Sequence, residues 1–222
     1  MFERELVNKE VKAAVKARSG PTYWESEQSN RHTVKCVCKA CNNGWMSEIE
    51  LAAKPTMISM IRGESITLDT AEQEAVAKWA CLKTMIGAYA WGVHPIPQDW
   101  LEYFYREHVP PDGWSVMTAR YVGSMLQMFD SYRFGSLPAT GVDTVSTVAK
   151  HKNILASLII GNLAISVRAI RDEPDLNVRT NLLPLWPSSS LELLWPPGVI
   201  TDDTLPNFRQ MGVKGGPTLL EP

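Results

Sequence analysis

Hydrophobic and polar positions divide the chain into a helical first half and a strand-rich second half. Leu6, Val7, Val11, Ala14 and Val15 fall on one side of an amphipathic helix over residues 3–18, which Ser19-Gly20-Pro21 ends. Residues 22–35 are polar and irregular, a loop or weak strand whose most strand-like part is Thr33-Val34-Lys35-Cys36. Ser47 and Glu50 have capping-box spacing, which predicts a helix start there and a kink or restart at Pro55. Met57, Ile58, Met60 and Ile61 carry the pattern on to Gly63, a C-cap. A second capping box, Thr70 with Gln73, opens a helix with Ala75, Trp79, Leu82, Ile86 and Tyr89 at helical spacing, stopped by Gly92 and Pro95. Residues 98–107 form a further helix burying Trp100, Leu101, Phe104 and Tyr105.

From Pro110 the period changes. Trp114–Val122 alternates as a strand, Gly123-Ser124 turns it into a second over Met125–Phe134, and Val142–Val148 is a short third. Residues 155–160 and 163–170 flank Gly161-Asn162, either a two-residue hairpin turn or an interruption in one long strand. The uniformly apolar flanks favour the single bent strand. Leu185-Trp186-Pro187 and Leu194-Trp195-Pro196-Pro197 read as extended segments laid over a core. Helices first and strands later predict an α+β fold with a mostly antiparallel sheet. The expected division is residues 1–46, an N-terminal helix and cysteine knuckle; 47–109, helical; and 110–222, β-rich, the last two forming one domain.

The chain's 222 residues, 45% hydrophobic and 21% charged, suit a globular protein with a sizeable core. A net charge of −2 argues against sequence-independent nucleic-acid binding by the whole surface. Arg4, Lys9, Lys12, Lys16, Arg18, Arg31, Lys35 and Lys39 form one basic run, but Glu3, Glu5, Glu10, Glu25 and Glu27 interleave it, as on a solvated helix face. The charged first twenty residues lack a signal-peptide run, and the longest apolar stretch, 154–167, is too short to span a bilayer. The expectation is a cytoplasmic protein without a membrane partner, where reduced cysteines favour metal over disulfide.

Three of the four cysteines lie in Cys36-Val37-Cys38-Lys39-Ala40-Cys41, followed by Asn42-Asn43-Gly44-Trp45. Cys38-x-x-Cys41 supplies two of the four ligands a structural zinc takes. His32 and Cys36 could complete a local set, although alternation along a strand points Cys36 away from Cys38. Cys81, amid apolar neighbours, reads as a core residue. Trp79, Trp100 and Tyr89 also read as core rather than as base-stacking platforms. Trp186 and Trp195 are better placed for docking, with burial over the sheet favoured. His94, His108 and His151 stand beside turn signals without a helical His partner.

Val37 to Glu50, then Ala53-Lys54-Pro55, resembles the second half of an HNH-endonuclease-like family of bacteria and their phages. Lys78-Trp79-Ala80-Cys81-Leu82-Lys83-Thr84, Ala119-Arg120-Tyr121-Val122-Gly123, Ile160-Gly161-Asn162-Leu163 and the Trp-Pro tail extend the likeness over most of residues 35–205. The resemblance implies a treble-clef-like half-knuckle leading into the helical segment. It also implies structural zinc on Cys38 and Cys41, with Asn42 at the Asn that follows the second cysteine pair. In the family an upstream Cys-x-x-Cys completes the zinc set and a Glu-His pair supplies the general base of a Mg²⁺- or Mn²⁺-dependent DNA endonuclease. Residues 1–35 hold no Cys and no Glu-His. The candidate site is therefore catalytic His32 and Asn42 with metal ligands Cys36, Cys38 and Cys41, and Glu48 or Glu50 beside them as carboxylates.

Three functions follow. One is a nucleic-acid-associated, catalytically deficient nuclease relative, or one whose missing half a partner protein supplies. The second is a non-catalytic protein-interaction module, and the third a working but unorthodox metal site using His32 and Glu50.

Overall fold

The computed structural model describes residues 37–90, 96–124, 127–134, 153–169 and 182–204, leaving aside the side chains of 89, 90, 127–134 and 153. The expected helix over 3–18, the strand-like 33–36 and the strand over 142–148 lie outside these residues. So do His94 and His151.

The fold is mixed α+β, as the hydrophobic pattern requires. A short helix α1 (Lys39–Asn43) leads into α2 (Trp45–Arg62), strand β1 (Ile66–Leu68), α3 (Thr70–Ala90) and α4 (Gln98–Glu107). Among the described residues seven strands follow: β2 (Trp114–Val122), β3 (Gln127–Phe134), β4 (Asn153–Ile160), β5 (Leu163–Ala169), β6 (Leu183–Trp186), β7 (Leu193–Trp195) and β8 (Val199–Thr201). The main sheet runs β3-β4-β5-β2-β6, with β8 parallel to the far end of β2. β1 and β7 form a separate antiparallel pair. Among the described residues, no helix is long and apolar enough to cross a membrane.

One core joins the helices to one face of the sheet. Met57 and Met60 of α2, Val76 and Trp79 of α3 and Phe104 of α4 pack with Val116, Leu158, Ile165 and Val167. The tail closes this layer, with Trp195 fully buried and Trp186 partly so. Trp79, Trp100 and Cys81 are core residues, as their spacing indicates.

Residues 153–169 are a hairpin, not one bent strand. Ile160 pairs with Leu163 across the Gly161-Asn162 turn, and β4 and β5 run antiparallel from there to Ile154↔Ala169. Uniform apolarity misleads because both strands are interior to the sheet and buried on both faces. Gly161 has φ of 55°, and a Cβ there would lie 2.8 Å from the carbonyl oxygen of Ile61. Asn162 donates both its backbone N–H (3.0 Å) and its side-chain amide (3.2 Å) to that same carbonyl. The turn is thus seated on the C-terminal end of α2. Gly161→Ala should destabilise the fold by about 1–3 kcal/mol, through strained backbone and a displaced α2 end. Urea unfolding measures this, and an unchanged midpoint would contradict the seating.

Local expectations fail where tertiary contacts recruit the same side chains. α2 has no side-chain cap at Gly44, and Glu50 pairs with Lys83 of α3 instead of capping. Pro55 neither breaks nor restarts α2; it sits within a continuous helix whose preceding turn carries the exposed Leu51. A carbonyl deprived of its donor on such a side can bond water. The capping box of α3 is one residue earlier than its spacing suggests: Asp69 Oδ1 accepts from Glu72 N at 2.8 Å, and Glu72 Oε2 accepts from Asp69 N at 3.0 Å. Gln73 instead is fully buried and holds the 189–191 segment. β2 and β3 do not form the expected hairpin, because β5 and β4 stand between them. Tyr105 is exposed rather than buried, lying beside Trp45.

Candidate functional site: a dithiol knuckle docked on α4

Cys38 caps the first turn of α1. Its extended backbone (φ −72°, ψ 156°) lets Sγ accept the backbone N–H of Cys41 at 3.3 Å. The two Sγ atoms are hydrogen-bonded at 3.1 Å, so the Cys-x-x-Cys spacing converges both sulfurs on one side of the turn. Cys38 is exposed and Cys41 half-exposed.

Gly44 makes the sharp exit from this turn. With φ −98° and ψ −120° it ends α1 and begins α2, and a Cβ there would meet the Ala40 carbonyl oxygen at 2.8 Å. Trp45 then anchors the knuckle to α4. Its ring is edge-on to Phe104 at 5.9 Å and to Tyr105 at 6.1 Å, and stacks on His108 at 4.7 Å and 10°. His108 itself ends α4 in the left-handed conformation (φ 55°), donating its N–H to Phe104 O at 3.0 Å. The Asn-Asn-Gly-Trp sequence therefore has a mechanical reading. Gly44 permits the close approach, and Trp45 fixes where the sulfurs sit. Nothing in the α4 sequence marks His108 as the ring that Trp45 stacks on, because the two are far apart along the chain.

Electrostatics distinguish the two sulfurs. The backbone N–H of Cys41, followed by its side chain, lowers the pKa of Cys38, because both bonds favour a thiolate. The bond to Cys38 raises that of Cys41, because it favours the thiol form there. Burial pushes the Cys81 thiol well up. In metal-free protein, a limiting amount of iodoacetamide near neutral pH should therefore alkylate Cys38 before Cys41, with Cys81 reacting only on unfolding. Peptide mass mapping reads this order; faster reaction at Cys41 would contradict it.

A tetrahedral zinc with bonds near 2.3 Å holds its sulfurs about 3.8 Å apart, so opening the pair by roughly 0.7 Å would admit the ion. An exposed turn can supply that by side-chain rotation. The sulfurs thus fit half of a zinc site. Among the described residues, no group of three or more His, Cys, Asp or Glu stands ready to hold a metal. Cys36 and His32, the expected further ligand and base, lie outside the described residues.

Of the other expected residues, Asn42 is exposed and its amide donates to Asn43 Oδ1 at 3.2 Å. Glu48 is exposed, while Glu50 is engaged by Lys83, whose ammonium also lies 5.9 Å above the Trp79 ring. Glu50 is thereby a tie between α2 and α3. Compared with known proteins, the chain matches no family model, no curated protein and no solved structure.

Proposed function

We propose that this chain is a nucleic-acid-associated relative of the HNH nucleases, incomplete or catalytically deficient in phosphodiester cleavage, that retains the thiolate half of a zinc knuckle. The single observation that supports this reading is the convergent Cys38–Cys41 pair held in place by Gly44 and Trp45. Cys38 and Cys41 would hold zinc as a structural staple, with Cys36 and His32 as the remaining local donors. Zinc there supplies cross-linking of the turn, not Lewis-acid chemistry. Hydrolysis would further need His32 to take a proton from water, Asn42 to orient it, and Mg²⁺ or Mn²⁺ to stabilise the leaving oxygen. Asn42 instead bonds its neighbour, and Glu50 is committed to Lys83.

The experiment incubates purified protein and its His32→Ala variant with labelled single- and double-stranded DNA, with and without Mn²⁺ or Mg²⁺. DNA binding that weakens with salt, without cleavage by either protein, is the expected result. Metal-dependent nicking abolished by His32→Ala would overturn the catalytic deficiency. Absence of binding would overturn the nucleic-acid assignment and favour an interaction module, a reading supported by the exposed Leu51, Leu191 and Leu194.

A further inference from the structure

The face of the sheet turned away from the helices carries a buried polar row that the knuckle does not use. Alternation along paired strands places Ser157 of β4, Ser166 and Arg168 of β5, and Ser115 of β2 on this face. Ser157 and Ser166 are direct cross-strand partners, and Arg168 stands two residues beyond Ser166, between Leu155 and Ser115. Ala119, Tyr121, Ile159 and Ala164 fill the other end of the face as an apolar cluster.

Arg168 is 3% exposed, and both serines are fully buried. Nevertheless Nε and Nη2 of Arg168, and the Oγ atoms of Ser157 and Ser166, are buried without a hydrogen-bond partner among the described residues. Asp130 of β3 is the cross-strand partner of Ser157, two strands from β5 and in the row before Arg168. Burial lowers the Arg168 pKa to about 10, so the guanidinium remains charged near neutrality. A buried guanidinium with two nitrogens lacking an acceptor among the described residues is a costly arrangement. Four donor atoms on this face thus have no acceptor among the described side chains, and this surplus suits a tetrahedral oxyanion.

We propose that Arg168, Ser166 and Ser157 form a binding site for a small phosphate-type oxyanion, either inorganic phosphate or a terminal phosphomonoester. The guanidinium fork takes two oxygens and the serine hydroxyls the others. Depth excludes the backbone phosphates of a duplex, which could not reach a side chain only 3% exposed. The site is therefore separate from any nucleic-acid surface at the knuckle.

The test is thermal unfolding of the full chain, purified without phosphate, against inorganic phosphate in the low-millimolar range at matched ionic strength. Chloride and acetate are the comparison anions, and a 5′-phosphorylated dinucleotide with its unphosphorylated counterpart distinguishes the phosphomonoester. Wild type should show a saturable rise in Tm with phosphate and none with acetate. Arg168→Met should lose the saturable part, keeping only the weak linear rise that phosphate gives any protein by exclusion from its surface. Ser157→Ala/Ser166→Ala should weaken the apparent affinity by about tenfold or more, and carries the test should Arg168→Met not fold. A dinucleotide effect that needs the 5′-phosphate identifies the phosphomonoester; its absence beside a phosphate effect identifies the free ion. The same rise in wild type and in a folded variant, or no saturable rise in wild type, would overturn the site.

Discussion

Truncating Trp195 to alanine is expected to cost about 3–5 kcal/mol of stability, more than any other single substitution proposed for this chain. Trp195 is fully buried, ends β7 opposite Ile66 of β1, and belongs to the core shared by helices and sheet. Its removal leaves a cavity between elements far apart in sequence, so neighbouring side chains can collapse into it only by moving the tail. For a chain of this length the loss corresponds to a fall in Tm of roughly 6–20 °C. Indole Nε1 has no acceptor among the described residues, so Trp195→Phe forfeits packing but no hydrogen bond and should cost much less. Chemical unfolding of the two variants checks this ordering. Equal midpoints for Trp195→Ala and wild type would mean that the tail does not close the core.

Gln73→Ala should be nearly as damaging, at about 2–4 kcal/mol, although it removes little apolar surface. Fully buried, Gln73 donates to Leu68 O at 3.1 Å and Leu191 O at 2.9 Å, and accepts from Ser189 N at 2.9 Å. One side chain thus satisfies three backbone groups, two of them on a segment 116 and 118 positions away. Thr70 Oγ1 and Glu74 Oε1 hold the same segment through Ser189 O and Ser188 Oγ, so part of the docking survives the loss of Gln73. Gln73→Glu discriminates polarity from volume. A carboxylate accepts from Ser189 N but opposes the carbonyls of Leu68 and Leu191, so it should also destabilise. Hydrogen exchange at Ser189 should accelerate in Gln73→Ala, which removes the acceptor of its N–H, and less in Gln73→Glu, which keeps one; unchanged protection in Gln73→Ala would contradict the clamp.

Elements with strong local signals were legible in the sequence, whereas their partners were not. The span of α4 and the full extent of β2 follow from periodicity and turn residues alone, because a 3.6- or 2-residue repeat of burial is written directly into side-chain order. Periodicity fails at β4 and β5, where both faces are covered and alternation vanishes. It also fails at the helix starts, where Glu50 and Gln73 have the spacing of caps but are claimed by Lys83 and by the tail. A capping rule weighs only local donors, whereas a side chain on a packed helix has non-local ones to choose from. The thiolate pair was visible as Cys-x-x-Cys, and its geometry adds what spacing lacks: the 3.1 Å separation and the Gly44–Trp45 mooring to α4. Arg168 carried no sequence signal, since one arginine in an apolar strand reads as an edge or a snorkelling side chain until the strand proves to be interior.

The claim on which the functional reading turns is that Cys38 and Cys41 are the thiolate half of a metal knuckle. Its most direct measurement is a Co²⁺ titration of the reduced, metal-free chain followed by absorption, alongside the Cys38→Ser/Cys41→Ser variant. One equivalent should bind with the intense thiolate-to-metal band in the near ultraviolet and the visible bands of tetrahedral coordination, be displaced by Zn²⁺, and be lost in the variant. No thiolate band in wild type, or the same spectrum in the variant, would contradict it.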